Sequence, residues 1–188
     1  MRIYTRRGDD GTTSLRGGRR VAKSSALVEA LGALDEAQAA LGVARAECAR
    51  PSALEDLLVG FERDLWVVMA EVAGPPVGDE GTTAASTVTP EMVLAVESAI
   101  DARAPTLGGI RGFALPGENR LAAALDAART AVRRAERRLA ALELAGDGHV
   151  LAYVNRLSDL CWALARESEE VHLPARGGGE KGRDDRGG

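Results

Sequence analysis

Histidine, lysine, cysteine and aromatic residues are all scarce in this chain of 188 residues. Of its 24 basic residues only Lys23 and Lys181 are lysine, and Trp, Tyr and Phe occur twice each. With aromatics at 3% and hydrophobic residues at 45%, the core has to be filled by Ala, Leu and Val. That favours closely packed helices over a sandwich or barrel rich in aromatic and β-branched residues. His149, His172, Cys48 and Cys161 are the only histidines and cysteines, and their scatter does not furnish a His/Cys metal site. Isolated cysteines of this kind suit a reduced, cytoplasmic setting. No apolar run approaches the ~20 residues of a membrane span, and Met1 to Arg7 carries no apolar segment of a secretory signal. A net charge of −4 leaves no global basic field to draw the chain to nucleic acid.

What is present is helical periodicity between glycine-rich stretches. Residues 1–23 are polar and punctuated by Gly8, Gly11, Gly17 and Gly18, which predicts an ordered loop rather than a helix. From Ser24, Leu27, Leu31, Leu34, Gln38, Leu41, Arg45 and Cys48 follow three-four spacing behind a Ser24 or Ser25 cap. Pro51-Ser52 restarts a second helix with Leu54, Leu57, Leu58, Phe61, Leu65, Val68 and Val72 on its apolar side. After a Gly/Pro/Thr/Ser-rich loop, Thr89-Pro90-Glu91 opens a third helix reaching about Arg103, and 104–117 reads as connection. A fourth stripe runs through Leu121, Leu125, Ala128, Val132, Ala135, Leu139 and Leu142, and a fifth through Val150, Val154, Leu157, Cys161 and Leu164. The class predicted is all-α: a five-helix bundle with up-down packing over 24–170. It lies within a single domain of residues 1–174, followed by a disordered tail at 175–188.

Three features carry chemistry. Arg129, Arg133 and Arg137 lie four apart on one face of the fourth helix, with Arg134 and Arg138 in a second row and Glu136 among them. Like charges at that spacing repel by roughly 0.2–0.5 kcal/mol per pair, so carboxylates of another element or a bound polyanion would compensate; the bland alternative is a solvated face. In the fifth helix Asn155 and Asp159 share a face. Both are poor interior helix formers, and a hydrogen bond to one of the fourth helix's arginines would account for them structurally. Lastly, Thr5-Arg6-Arg7-Gly8-Asp9-Asp10-Gly11-Thr12-Thr13-Ser14 combines turn-forming glycines, hydroxyl donors and charge, a composition suited to cradling a triphosphate. It is not the GxxxxGK[ST] phosphate loop, and a flexible leader is its bland reading.

Taken together, these segments resemble the PduO-type ATP:cob(I)alamin (corrinoid) adenosyltransferase family. The resemblance rests on Ile3-Tyr4-Thr5-Arg6 with Gly8-Asp9-Asp10-Gly11-Thr12-Thr13, on Arg20-Val21-Ala22-Lys23, on Asp35-Glu36 and on Phe113-Ala114-Leu115-Pro116-Gly117. It extends through Ala128-Arg129-Thr130, Arg133-Arg134-Ala135-Glu136-Arg137-Arg138 and Tyr153-Val154-Asn155-Arg156-Leu157-Ser158-Asp159-Leu160. The resemblance implies a homotrimer of five-helix subunits with active sites between them, serving cobalamin (vitamin B12) biosynthesis by moving the 5′-deoxyadenosyl group of ATP onto cobalt. It implies that Thr5, Arg6, Arg7, Gly8, Asp9, Gly11, Thr13, Ser14 and Lys23 wrap the ATP phosphates. Arg133, Arg134, Glu136, Arg137 and Asn155 would complete the ATP site, with Glu136 acting through Mg²⁺. On the corrinoid side it implies Asp35 and Arg129 as an intersubunit ion pair, Asp159 beside them, and Phe113 displacing the lower axial ligand of cobalt. Hand-off to an adenosylcobalamin-dependent enzyme and supply by a cob(II)alamin reductase follow from the same likeness, as does the alternative of a non-catalytic carrier or sensor. Arg7, Arg16, Leu27, Leu31, Gln38 and Glu118 depart from the family's usual residues.

Overall fold

The computed structural model describes residues 4–15, 18–74, 87–108, 110, 114–142 and 148–175. Its elements in chain order are β1 (Thr12–Ser14), β2 (Arg20–Ala22), α1 (Ala26–Ala46), α2 (Ala53–Ala73), α3 (Pro90–Asp101), α4 (Ala104–Leu107), α5 (Arg120–Ala140) and α6 (His149–Glu167). The all-α class holds, with two corrections. The N-terminal segment is a small antiparallel hairpin, pairing Thr12 with Ala22, Thr13 with Val21 and Ser14 with Arg20. The connection expected over 104–117 includes the one-turn helix α4. The tail expected to be disordered lies, from Arg176 on, outside the described residues.

Side-chain caps start α1, α2, α3 and α5, whereas α6 begins at Gly148 without one. Side-chain oxygens of Ser25, Ser52, Thr89 and Asn119 accept from Val28, Glu55, Met92 and Ala122 backbone N–H groups respectively, each satisfying a donor that has no intrahelical partner. Asn119 also donates from Nδ2 to the Ser168 carbonyl at 2.6 Å, tying the start of α5 to the end of α6.

α1 packs against both α2 and α5, α5 against α1 and α6, and α3 against α6. α1 and α5 run antiparallel, with Arg120–Glu47 at 2.9 Å at one end and Arg138–Glu29 at 3.2 Å at the other. α3 runs along α6 in the same direction, through Arg156–Glu97 and Arg103–Glu167. Leu34 and Leu41 of α1, Leu58 and Leu65 of α2, Leu125 and Leu139 of α5, and Leu157 and Leu164 of α6 are buried in one core. Alanines at 30, 33, 37 and 44 on α1 and at 128, 131 and 135 on α5 are buried with them; small side chains let these two helices approach closely. Because α1 is covered on two sides, the stripe expected through Leu27 and Leu31 is only half-buried, and alanines take the core positions. Gln38 and Arg45 also leave that stripe: both bond Glu62 of α2, at 2.6 and 2.9 Å.

Candidate active site

The hairpin gathers two of the N-terminal candidates, Arg7 and Ser14, together with Asp10 and Thr12 around one arginine. Arg20 donates from Nη2 to the Arg7 carbonyl at 2.7 Å, to both Asp10 carboxylate oxygens at 3.2 Å and to the Thr12 hydroxyl; its Nη1 reaches the Ser14 hydroxyl at 3.4 Å. Asp10 accepts from the Thr12 hydroxyl at 2.6 Å and from the Thr12 N–H at 2.9 Å. These bonds, then Arg20, hold its carboxyl below the usual carboxylate range. Gly11 sits at φ 80°, which a side chain adopts only with strain. At Gly8 the packing is tight: a Cβ there would lie 3.0 Å from the Thr12 carbonyl oxygen and 3.1 Å from Lys23 Nζ. Lys23 therefore brings its ammonium onto the turn built by residues 5–11. Sequence reasoning did not assign Arg20 a role; its place opposite Ser14 across a two-stranded ladder has no local signal.

The arginines of α5 divide by row. Arg134 pairs with Glu36 and Arg138 with Glu29, so α1 supplies the carboxylates that neutralise the second row. Arg133 and Arg137 are exposed, and among the described residues neither has a carboxylate within 4.0 Å; Arg137 instead donates to the Arg133 carbonyl at 3.0 Å. Glu136 accepts from Asn155 Nδ2 at 2.7 Å. The interhelical partner of Asn155 is thus Glu136, correcting the expectation of an arginine: the amide donates to the carboxylate, and its oxygen accepts from Arg156 Nη1 at 2.7 Å. Arg156 is held in turn by Glu97. Beside this group a cleft of about 370 Å³ is lined by Arg129, Arg133, Ser158, Asp159 and Trp162.

The hairpin leads through Lys23 into the start of α1, and the Glu29–Arg138 pair sets that start beside the end of α5. Hairpin and arginine row thus occupy the same end of the bundle, although no hydrogen bond joins them within the chain among the described residues. Asp35 belongs to a different face: it lines an open cleft of about 470 Å³ between α1 and α2 with Gln38, Arg45, Glu62, Arg63 and the exposed Trp66. Within one chain Arg129 pairs with Asp126 at 2.9 Å instead. Phe113 lies outside the described residues.

One cluster escaped the sequence reading. Asp126 bridges Arg129 and Arg166, and Arg166 also meets Glu169, all but Arg129 being buried. An acid flanking the apolar stripe one turn before Arg129, and an arginine directly after Leu164-Ala165, were available as signals.

Residues 3–168 match the cobalamin adenosyltransferase family. The corrinoid adenosyltransferase PduO of Salmonella typhimurium is 41% identical over 180 residues, covering 92% of this chain and 51% of that protein; the chain thus spans about half the length of that relative. A corrinoid adenosyltransferase of Citrobacter freundii is 39% identical over 170 residues, covering 89% of this chain and 95% of that protein. A solved structure of a variant PduO-type ATP:corrinoid adenosyltransferase from Lactobacillus reuteri, complexed with cobalamin and ATP, matches with a TM-score of 0.84 at 28% identity, over 94% of this chain and 97% of that one. By a match that runs from residue 3 to 168 and relatives about 40% identical, this chain belongs to the cobalamin adenosyltransferase family.

Proposed function

We propose that this chain transfers the 5′-deoxyadenosyl group of ATP to the cobalt of a reduced corrinoid such as cob(I)alamin, releasing triphosphate. The observation that carries the proposal is the division of the α5 arginines. One row is neutralised by α1, while Arg133 and Arg137, with no carboxylate within 4.0 Å among the described residues, stand beside Glu136, Asn155 and a cleft. Two unneutralised guanidiniums on one helix face suit a polyanion, and they share an end of the bundle with the Lys23 hairpin.

In the reaction the Co(I) electron pair forms a bond to the ribose C5′ while the C5′–O bond breaks and triphosphate leaves with that bond's electrons. No protein nucleophile or base is required. The chain's task is to align the reacting atoms and to meet the charge growing on the leaving group with preplaced cations. Thr5, Arg6, Arg7, Gly8, Asp9, Gly11, Thr13, Ser14 and Lys23 would wrap the phosphates, Arg133 and Arg137 would face them, Arg134, which Glu36 neutralises within the chain, would flank them from the second row, and Asn155 would hold the adenosine part. No group of three or more His, Cys, Asp or Glu suited to a metal occurs among the described residues. The donor set therefore fits an ion held by phosphates and water with one carboxylate, the usual manner of Mg²⁺; Glu136, with one oxygen engaged by Asn155, would supply that carboxylate. Bound there, Mg²⁺ would neutralise phosphate charge.

The corrinoid would lie against Arg129 and Asp159, with Phe113 as the wedge on its lower face. Asp35 and Arg129 occupy different faces of one chain, which suits an ion pair between copies in a homotrimer. No helix among the described residues is long and apolar enough to cross a membrane. The reading includes a cytoplasmic setting, which the isolated cysteines suit, with hand-off of product to an adenosylcobalamin-dependent partner and supply of substrate by a cob(II)alamin reductase.

The test is an anaerobic assay with ATP, Mg²⁺ and chemically reduced cobalamin. A light-sensitive Co–C product with stoichiometric triphosphate is expected, and Arg133→Ala and Asn155→Ala should abolish turnover while helical circular dichroism is retained. ATP binding with neither product would make the chain a carrier or sensor and sink the enzyme reading.

A further inference from the structure

Arg129 reaches the cleft between α5 and α6 from a clamped position. Its Nε donates to Asp126 Oδ1 at 2.9 Å, and among the described residues neither terminal nitrogen has an acceptor. Asp126 is only 4% exposed, at the edge of the buried side of α5, one turn from both Ala122 and Arg129. Its other oxygen accepts from Arg166 Nη2 at 2.5 Å, and Arg166 is itself 2% exposed and 2.7 Å from Glu169. Glu169 Oε2 is 2.8 Å from His172 Nδ1. Among the described residues Arg166 Nε is buried without a hydrogen bond, and Glu169 Oε1 meets only the Arg166 guanidinium, as an ion pair.

A buried ionic cluster adds little stability over apolar residues of equal volume, and unpaired polar atoms make it costlier. Orientation is what such a cluster supplies. A free arginine on a helix surface samples many rotamers, and fixing one in advance lowers the entropic cost of any contact it then makes.

We propose that Asp126, itself anchored by the buried Arg166, is a positioning residue that clamps Arg129 by its Nε edge and so presents the two terminal nitrogens to the corrinoid side of the site. This rests on the transfer reaction proposed above. Lysine cannot replace arginine in this arrangement, because its single charged nitrogen would be drawn to Asp126 with nothing left to present.

The experiment combines steady-state kinetics of the full chain with NMR of the arginine Nε–H groups. Asp126→Asn, which keeps the shape and removes the charge, should raise the KM for cob(I)alamin at least tenfold and leave the KM for ATP within twofold. In an Arg129→Ala background the same substitution should change the corrinoid KM by less than twofold, because both act through one group. Arg129→Lys should be as impaired as Arg129→Ala. The Arg129 Nε–H resonance should exchange slowly with solvent in the wild type and quickly in Asp126→Asn. Additive effects of Asp126→Asn and Arg129→Ala, or full activity of Arg129→Lys, would overturn the clamp; the lysine arm decides even where Asp126→Asn fails to fold. If the wild-type chain shows no turnover, the transfer reading alone falls. The Nε–H resonance then decides the clamp, upheld by its loss of protection in Asp126→Asn and overturned by its persistence.

Discussion

Adding a single methyl group at Gly8 should separate the hairpin's fold from its charge. A Cβ at that position would lie 3.0 Å from the Thr12 carbonyl oxygen, 3.1 Å from Lys23 Nζ and 3.2 Å from Lys23 Cε, where carbon contacts are optimal at about 3.5–4.0 Å. Each neighbour has to yield a few tenths of an ångström. The Thr12 carbonyl belongs to the paired strand β1 and resists; the ammonium ends a flexible chain and moves. Gly8 has no positive φ, so alanine costs no backbone strain there and, by restricting the unfolded chain, returns about 0.4–1 kcal/mol. Stability should therefore change by less than about 1 kcal/mol. Displacing Lys23 from a phosphate should forfeit a charge-assisted hydrogen bond of about 1.5–3 kcal/mol, which is roughly 10- to 100-fold in an equilibrium constant. The expected result is a KM for ATP raised by that factor, with the corrinoid KM unchanged, measured anaerobically at saturating cob(I)alamin. Combining Gly8→Ala with Lys23→Ala should add nothing to Lys23→Ala alone. A folded Gly8→Ala variant with the wild-type KM for ATP would refute the placement of Lys23 over the phosphates.

Two further expectations concern the core. Burial raises the Asp64 carboxyl above its ordinary value of 3.8, partly offset by the hydrogen bond from Tyr153. The folded chain thus holds that proton more tightly than the unfolded one, and the associated stability is lost as the pH rises from 3.8 through the raised folded value. Asp64→Asn keeps an acceptor for Tyr153, so its Tm relative to wild type should climb as the pH goes from acid to neutral; a constant difference would contradict this. Burial also pushes the Cys161 thiol up to about 12 and raises Cys48. Both should escape iodoacetamide at pH 8 until the protein is unfolded, as read by mass spectrometry, and alkylation of the native chain would count against the described core.

How much of this was legible beforehand follows from the reach of each interaction. Ser52 and Thr89-Pro90 act within three residues of themselves, and the α5 stripe repeats every turn, so these helix starts and the fourth helix's core face could be read directly, whereas the Asn119 cap of α5 emerged only in the structure. The one-turn α4 and the three-residue strands β1 and β2 are too short to show a period, and the hairpin was expected as a loop. Leu27 and Leu31 looked like core because a stripe analysis assumes one buried side, whereas α1 is covered on two. The identities of the site residues came through family motifs, not through spacing.

The sequence by itself determined the all-α class, the amphipathic faces, the capped boundaries and a surplus of arginine on one helix, because each rests on neighbours within a few residues. Only the tertiary structure decided which arginines keep their charge free. Arg134 and Arg138 are neutralised by Glu36 and Glu29 of a helix far away in sequence, Asn155 turns to Glu136, and Arg129 is held by an aspartate that Arg166 anchors from α6. Charge pairing depends on distance in space, and the antiparallel packing of α1, α5 and α6 is what sets it.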